Sequence, residues 1–425
     1  MKILTRSRIM LLTALTALFT SRSLSYGQQT RGVDWIHGLG GDVNSLRRVD
    51  SLYNALRRVV TPIRQGYNTS NGITNMATAV QGSTGGANRL GIGHSLGGTA
   101  ARQVSFWNNS HWRGIVTMGS PLRGAKISAS ASDGTNTAFI NNGIDRMMAG
   151  PGVGAGTAPP IFPNLGILIH QVSILGQLFS GTLASKANST LMNSFGLVGQ
   201  TAVDLHPNSN YQSGAQFQGA TVPKILIWGN EVYPLLWRTV GTYSSDNGTD
   251  DQGVSIASTA ADIYNTIANG EEALSWANLP MHGFHQWRKG KWEEGKNWVN
   301  NDSNAGWEEV IGSNYTELVS WYETVVTCDA NQWQACYASS PPPGYCDDYC
   351  TDQVYHSYTV YHDYPSDGVV TQRSATNDGG SWQGIHLEAP NTNHGEFKRP
   401  DRVRPTLDWV FNNGDQSGHF QIDLR

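Results

Sequence analysis

A serine with glycine two residues before it and two after, Gly93-His94-Ser95-Leu96-Gly97 followed by Gly98, is the first place where this chain could do chemistry. A serine hydroxyl attacks only when a neighbouring base takes its proton. It must also protrude from the backbone, which a sharp strand-to-helix turn achieves. Residues 89–93 read as a short strand and Leu96–Trp107 as a helix, so the serine sits at such a turn. Ser95 is therefore the candidate nucleophile. The pattern also arises by chance in glycine-rich chains, so its weight depends on what accompanies it. A dinucleotide fingerprint fits poorly, because Gly91-x-Gly93 meets Leu96 where a third glycine is required.

Acyl transfer passes through a tetrahedral oxyanion that needs preorganised N–H donors. His37-Gly38-Leu39-Gly40-Gly41 follows the strand-like run 32–37, and its glycines allow the backbone to turn amides inward. The backbone N–H groups of Leu39 and Leu96 are the candidate oxyanion donors. His37 is read as shaping this turn rather than as a base. In a hydrolase of this layout the orienting acid and then the base follow the serine along the chain. Asp367, in Ser366-Asp367-Gly368-Val369-Val370, is the candidate acid, and Glu231 and Asp363 are its competitors. His394, in Asn393-His394-Gly395-Glu396, is the candidate base. His386 reads as a half-buried strand residue and His419 as peripheral. His282-x-x-His285 reads as part of a solvated cap loop, and Asp246, Asp250 and Asp251 as turn residues. No metal site and no cofactor site is expected.

These groups need elements to hold them. Residues 32–37, 89–93, 114–119 and 224–229 are apolar strand candidates. Leu46, Val49, Leu52, Leu56 and Val59 recur at helical spacing, and Pro62 is expected to end that helix. Residues 73–80 form a weaker helix candidate, and 385–387 a further strand. Strands alternating with helices predict an α/β fold with a mostly parallel sheet covered on both faces. Two stretches break the rhythm, 121–220 and 245–355, and both are expected to be insertions capping the sheet. The second holds helix-like segments at 257–274 and 307–322.

With 425 residues and 39% hydrophobic content, the chain can bury a sizeable core. Charged residues make up 15%, against about 25% in an average chain. The net charge of −4 favours neither nucleic acid nor anionic membrane as a partner. Lys2, Arg6 and Arg8 precede an apolar run at 9–19, which is shorter than the roughly 20 residues that span a bilayer. Ser23-Leu24-Ser25 then offers small residues for cleavage. A signal peptide over 1–25 and a mature chain over 26–425 are expected, with export to the periplasm or beyond. The apolar run 161–179 is interrupted by Pro163, His170, Gln171 and Gln177, so no stable membrane insertion is expected. Cys328, Cys336, Cys346 and Cys350 cluster in the second insertion. In an oxidising compartment they suggest two disulfides, with three pairings open. Zinc is disfavoured because the chain has no C-x2-C pair.

The chain resembles the α/β-hydrolase lipases and esterases, especially bacterial extracellular triacylglycerol lipases. The matching pieces, in order, are His37-Gly38-Leu39-Gly40-Gly41, Gly93-His94-Ser95-Leu96-Gly97-Gly98, Met118-Gly119-Ser120-Pro121-Leu122-Arg123-Gly124, Asp204-Leu205-x-Pro207-x-Ser209, Ser366-Asp367-Gly368-Val369-Val370 and Asn393-His394. The resemblance implies an α/β-hydrolase fold with cap or lid insertions. It implies hydrolysis of acyl esters or lipids by Ser95, Asp367 and His394 through an acyl-enzyme. Amidase, thioesterase or acyltransferase chemistry would use the same groups, and a non-catalytic binding module would keep the fold without using them. The resemblance places a mobile lid or a fixed cap over 125–210. Some relatives hold calcium near the triad, and Glu396 stands where one ligand, usually Asp, would fall. Two departures stand out: Gly119-Ser120-Pro121 replaces the usual G-T-P, and the cysteine-bearing insertion is not general to the family.

Overall fold

Short runs rich in Val, Ile and Leu punctuate the first half of the chain and recur near its end. In the structure, a computed structural model, they form one parallel sheet. The structure describes residues 31–56, 59–64, 66–154, 199–215, 218–243, 248–340, 342–414 and 419–420. The expected signal peptide over 1–25, the apolar run 161–179, and Asp246 lie outside the described residues, as does the middle of the 125–210 lid segment. No described helix is long and apolar enough to cross a membrane.

In chain order the elements that matter here begin with β1 (Arg31–Ile36), α1 (Arg47–Ala55), β2 (Val59–Arg64), α2 (Ile73–Ser83), β3 (Gly86–His94), α3 (Leu96–Trp107) and β4 (Trp112–Met118). Then come α4 (Lys126–Asp133), α5 (Thr135–Gly154), β5 (Lys224–Asn230), α6 (Leu235–Tyr243), α7 (Asp250–Ala277), α8 (His282–Asn297) and α9 (Ser303–Ile311). The last are β6 (Asn314–Val326), β7 (Thr351–Asp363), β8 (Ile385–Pro390) and α10 (Pro400–Trp409). The chain divides into two compact units, Ser313–Tyr364 and the remainder.

The larger unit holds a six-stranded sheet in the order β2-β1-β3-β4-β5-β8, with every neighbouring pair parallel. The expectation of a mostly parallel α/β sheet is met. Helices cover both faces, so the central strands are apolar on both sides: Lys224 to Gly229 are all buried. Val49 and Tyr53 of α1 share one core with Val403 and Leu407 of α10. Ile73, Met76 and Val80 of α2 share the other with Ala100 and Val104 of α3. The chain runs outward from β1 to β2, then returns to place β3 on the other side of β1. The loops leaving β1 and β3 therefore diverge, and a crevice opens at their carboxyl ends, where ligands bind in open α/β sheets.

Two segments differ from their sequence expectation. The helix predicted to run to Pro62 ends at Ala55, and residues 59–64 form β2 instead. Val59, Val60 and Ile63 are β-branched, and β2 is an edge strand, the position in a sheet that tolerates proline. The helix predicted over 307–322 stops at Ile311. Gly312 takes φ +72 and caps it, and the alternating β-branched and aromatic residues that follow form β6.

A buried carboxylate ties the sheet together. Asp34 of β1 has no solvent exposure. It accepts from Arg89 Nε of β3 at 2.7 Å, from Trp112 Nε1 of β4 at 2.8 Å and from Gly85 N at 2.7 Å. Removing it takes the carboxylate away from the Arg89 guanidinium in a site with 15% side-chain exposure. Asp34→Ala is expected to destabilise the fold by about 3 kcal/mol or more. The urea midpoint measures this, and a midpoint equal to wild type would contradict it.

Helices α4, α5, α7, α8 and α9 form a helical layer of the larger unit. Gly143 and Gly150 of α5 make room for Trp298 and Trp292, since a Cβ at either glycine would come within 2.4 Å of the indole. In the smaller unit β6 and β7 pair antiparallel along their whole lengths. Disulfides Cys328–Cys350 and Cys336–Cys346 lie beyond that pairing and choose one of the three arrangements left open.

Candidate active site

The turn between β3 and α3 carries Ser95 in a conformation L-residues rarely adopt, φ 55 and ψ −128. Strain of this kind persists only where the surroundings enforce it. Here the strand and helix nearly touch. A Cβ on Gly93 would lie 2.5 Å from Gly98 N, and one on Gly97 would lie 2.3 Å from Ile36 O. Glycine is required at both positions by close approach. Ser95 N donates to Met118 O at 2.9 Å, fixing the turn against β4.

The structure brings Ser95, His394 and Asp367 together from three ends of the fold. His394 Nδ1 lies 2.8 Å from Asp367 Oδ2, and His394 Nε2 lies 2.8 Å from Ser95 Oγ. A carboxylate only accepts, so Nδ1 carries the proton and Nε2 is left to accept from the serine hydroxyl. Asp367 is itself held: Oδ1 accepts from Val369 N at 3.0 Å and Val370 N at 2.7 Å. Its main-chain carbonyl accepts from His394 N at 2.8 Å. Leu96 is the first residue of α3, so its N–H has no acceptor within the helix. Leu39 lies in a turn closed by Gly41 N donating to Gly38 O at 3.1 Å. Leu39 lines a cavity of about 150 Å³ together with Ser95, His94 and His394.

The competitors fall elsewhere. Glu231 lies in a carboxylate cluster described below, and Asp363 ends β7. His386 sits on the edge strand β8 but is exposed, not half-buried as expected. His419 bonds to Lys224 O at 3.2 Å. His282 and His285 lie on α8 rather than in a loop, and His285 pairs with buried Glu271 at 2.8 Å. His37 stacks on Tyr67 at 4.1 Å, burial lowers its pKa, and Tyr67 Oη donates to its carbonyl. This fits its reading as a turn-shaping residue.

Several supporting residues escape sequence reasoning. His94 is buried, and burial, followed by the neighbouring His394, pushes its pKa well below the usual value. It is neutral, and Nε2–H donates to the His394 carbonyl at 3.0 Å. Trp307 Nε1 donates to Gly368 O at 2.8 Å, bracing the Asp367 loop. No local pattern announces either contact. Asn393 and Glu396 form a reciprocal cap: the Asn393 side chain accepts from Gly395 N and Glu396 N, and Glu396 Oε2 accepts from Asn393 N at 3.2 Å. That N-x-x-E spacing is visible in the sequence and marks a helical start. Asn393 Nδ2 also donates to Thr242 Oγ1 at 2.7 Å, tying the His394 turn to α6.

Behind this turn the carboxylates of Glu231, Asp250 and Glu396 converge within 4.8 Å of one another. Asp250 is thus a buried residue opening α7 and not the loop turn expected. Two guanidinium groups already occupy the cluster. Arg238 Nη1 lies 2.6 Å from Asp250 Oδ2, and Arg402 reaches Asp250 Oδ2 at 2.8 Å and Glu396 Oε1 at 3.2 Å. A dication would face both guanidiniums at the same oxygens, so these residues do not fit the calcium that the resemblance allows. Burial, assisted by the carboxylates of Asp250 and Glu231, raises the Glu396 pKa to about 7.

Between its ordinary value of 4.5 and about 7, Glu396 keeps a proton in the fold that the unfolded chain has released. Its contribution to stability therefore falls as pH rises through that window. Glu396→Gln keeps the reciprocal cap, since Gln also serves at that position. Relative to wild type, the variant is expected to gain stability as pH rises from 4.5 to about 7. Parallel stability-versus-pH curves would contradict this.

No protein-family model and no curated protein matches the chain. Among solved structures it is similar to the mature form of Bacillus licheniformis lipase BlEst2, at 8% identity and TM-score 0.40 over 91% of this chain and 93% of that one. It is similar to an extracellular alpha/beta-hydrolase from a Paenibacillus species at 15% identity and TM-score 0.24, over 47% and 76% of the two chains. It is also similar to a thermophilic esterase from Thermogutta terrifontis at 14% identity and TM-score 0.25, over 54% and 77%. The sheet order, the strained serine turn after β3 and the segments after β7 and β8 that bring Asp367 and His394 to it give this chain an α/β-hydrolase fold.

Proposed function

We propose that the protein is a serine carboxylic-ester hydrolase of lipase or esterase type. The observation that carries this reading is the pair of 2.8 Å contacts running Ser95 Oγ, His394 Nε2, His394 Nδ1, Asp367 Oδ2. Ser95 Oγ attacks the ester carbonyl carbon while His394 Nε2 takes its proton. The Leu39 and Leu96 amides hold the resulting oxyanion. The C–O bond to the alcohol then breaks, and His394 returns the proton to the departing oxygen. Water, deprotonated by His394, attacks the acyl-enzyme and releases the acid and free Ser95. Asp367 holds the imidazole tautomer and stabilises the imidazolium.

A matched panel of esters, amides and thioesters across a series of acyl lengths tests the reading. Esters are expected to be cleaved with the highest kcat/KM, and turnover of amides alone would overturn it. We also infer export. The basic start, the apolar run 9–19 and the small residues at 23–25 support a cleaved leader. Two disulfides support an oxidising destination.

A further inference from the structure

The turn that carries His394 ends at Lys398, and this lysine is built unlike a surface residue. It lines the cavity that holds Ser95 and His394, and it also lines a second, larger cavity of about 820 Å³. Ser45 and Tyr243 share that wall. Among the described residues no carboxylate comes within ion-pair distance of Lys398, although its ammonium is desolvated enough to lower its pKa. Its Nζ stands over the Tyr243 ring, 5.8 Å from the centroid. Asp42 acts on it only from a distance and spends its own Oδ1 on Asn44 N at 2.8 Å. The larger cavity is basic: Arg47, Arg48, Lys398 and Arg399 outnumber Asp42 and Asp401 on its walls. A partly buried ammonium that no described carboxylate reaches at ion-pair distance is costly to maintain and gains most when an anion arrives.

The direction in which that anion arrives follows from the proposed chemistry. His394 Nε2 must hand its proton to the departing oxygen, so the alcohol half of the ester lies on the His394 side of the carbonyl carbon. Lys398 closes the same turn, and beyond it the larger cavity opens. We propose that this cavity receives the alcohol half of the substrate, and that Lys398 Nζ binds a negatively charged group, phosphate or carboxylate, carried on that alcohol. The inference rests on the ester-hydrolase reading and adds a substrate class to it: esters of anionic alcohols.

Three butyrate esters with the same acyl group test it: 1-butyrylglycerol, butyrylglycerol 3-phosphate and 3-butyrylglycerate. Wild type is expected to favour at least one anionic ester over the neutral one by about tenfold or more in kcat/KM. Preference for the phosphate or for the carboxylate identifies which anion is read, and either supports the proposal. Lys398→Gln is expected to reduce that ratio about tenfold, and Lys398→Arg to restore part of it. Equal kcat/KM for all three esters in wild type, or a ratio unmoved by Lys398→Gln, would overturn it. Calorimetry provides an arm that needs no catalysis. Ser95→Ala is expected to bind glycerol 3-phosphate or glycerate, whichever matches the preferred ester, and the additional Lys398→Gln change to weaken that binding about tenfold. If wild type cleaves none of the esters but this Lys398-dependent binding persists, the anion site stands and the ester-hydrolase reading falls. Binding indifferent to Lys398 overturns the anion site.

Discussion

Ser95→Ala is expected to lower kcat for ester hydrolysis by about 10⁴- to 10⁶-fold while leaving the fold intact. The size of the loss follows from what is removed. Without Oγ no acyl-enzyme forms, and water must attack the bound ester directly. The proposed oxyanion donors, the amides of Leu39 and Leu96, and the binding walls remain, and such groups alone retain some rate above water. The fold should tolerate the change. The backbone at residue 95 is strained at φ 55 for any residue with a Cβ, and alanine meets the same strain as serine. The backbone N–H at this position still reaches Met118 O, and Gly93, Gly97 and Gly98 keep the close approach of β3 and α3. KM is expected to change little, because Oγ contributes mainly in the transition state. An unchanged kcat in folded Ser95→Ala would remove this residue from the chemistry.

Asp367→Asn is expected to cost about 10⁴-fold in kcat. The substitution is almost isosteric, so the loop should survive. The oxygen of the introduced amide can still accept from Val369 N and Val370 N, as Asp367 Oδ1 does now. The amide nitrogen would then face His394 Nδ1, where the carboxylate Oδ2 stands at 2.8 Å. Two N–H donors cannot face each other, so the imidazole proton would move to Nε2. His394 would then present a donor to Ser95 Oγ and have no lone pair to take its proton. The loss should ease at high pH if hydroxide can remove the serine proton instead. A variant with full kcat at neutral pH would show that Asp367 does not set the tautomer.

Much of this site is legible without coordinates, because the chemistry demands particular residue types in a particular order. Glycines at 93, 97 and 98 announce a tight strand-to-helix turn, and α3 spans the predicted Leu96–Trp107. β5 extends the predicted 224–229 by one residue. Legibility fails where short runs suit two states. Val59 to Arg64 continues a helical period yet pairs with β1 at the sheet edge. The stretch after Gly312 keeps an apolar rhythm that serves strand as well as helix, and only pairing with β7 decides it. Long-range contacts leave no local mark at all. Glu231, Asp250 and Glu396 are far apart in the chain, and nothing in their neighbourhoods foretells a shared cluster with Arg238 and Arg402. His94 is visible inside the serine motif, but its hold on the His394 carbonyl depends on the fold. Nothing local marks Lys398, and only the two cavities place it on a shared wall.

The central claim is that one serine hydroxyl, and no other, is activated by a neighbouring imidazole. Covalent labelling with a fluorophosphonate, followed by peptide mass spectrometry, tests it most directly. The nucleophilic oxygen displaces fluoride and forms a stable phosphonate ester. The account predicts one adduct per chain, on the peptide bearing Ser95, and its loss in His394→Ala. No adduct on folded protein, or an adduct on a different serine that persists in Ser95→Ala, would contradict it.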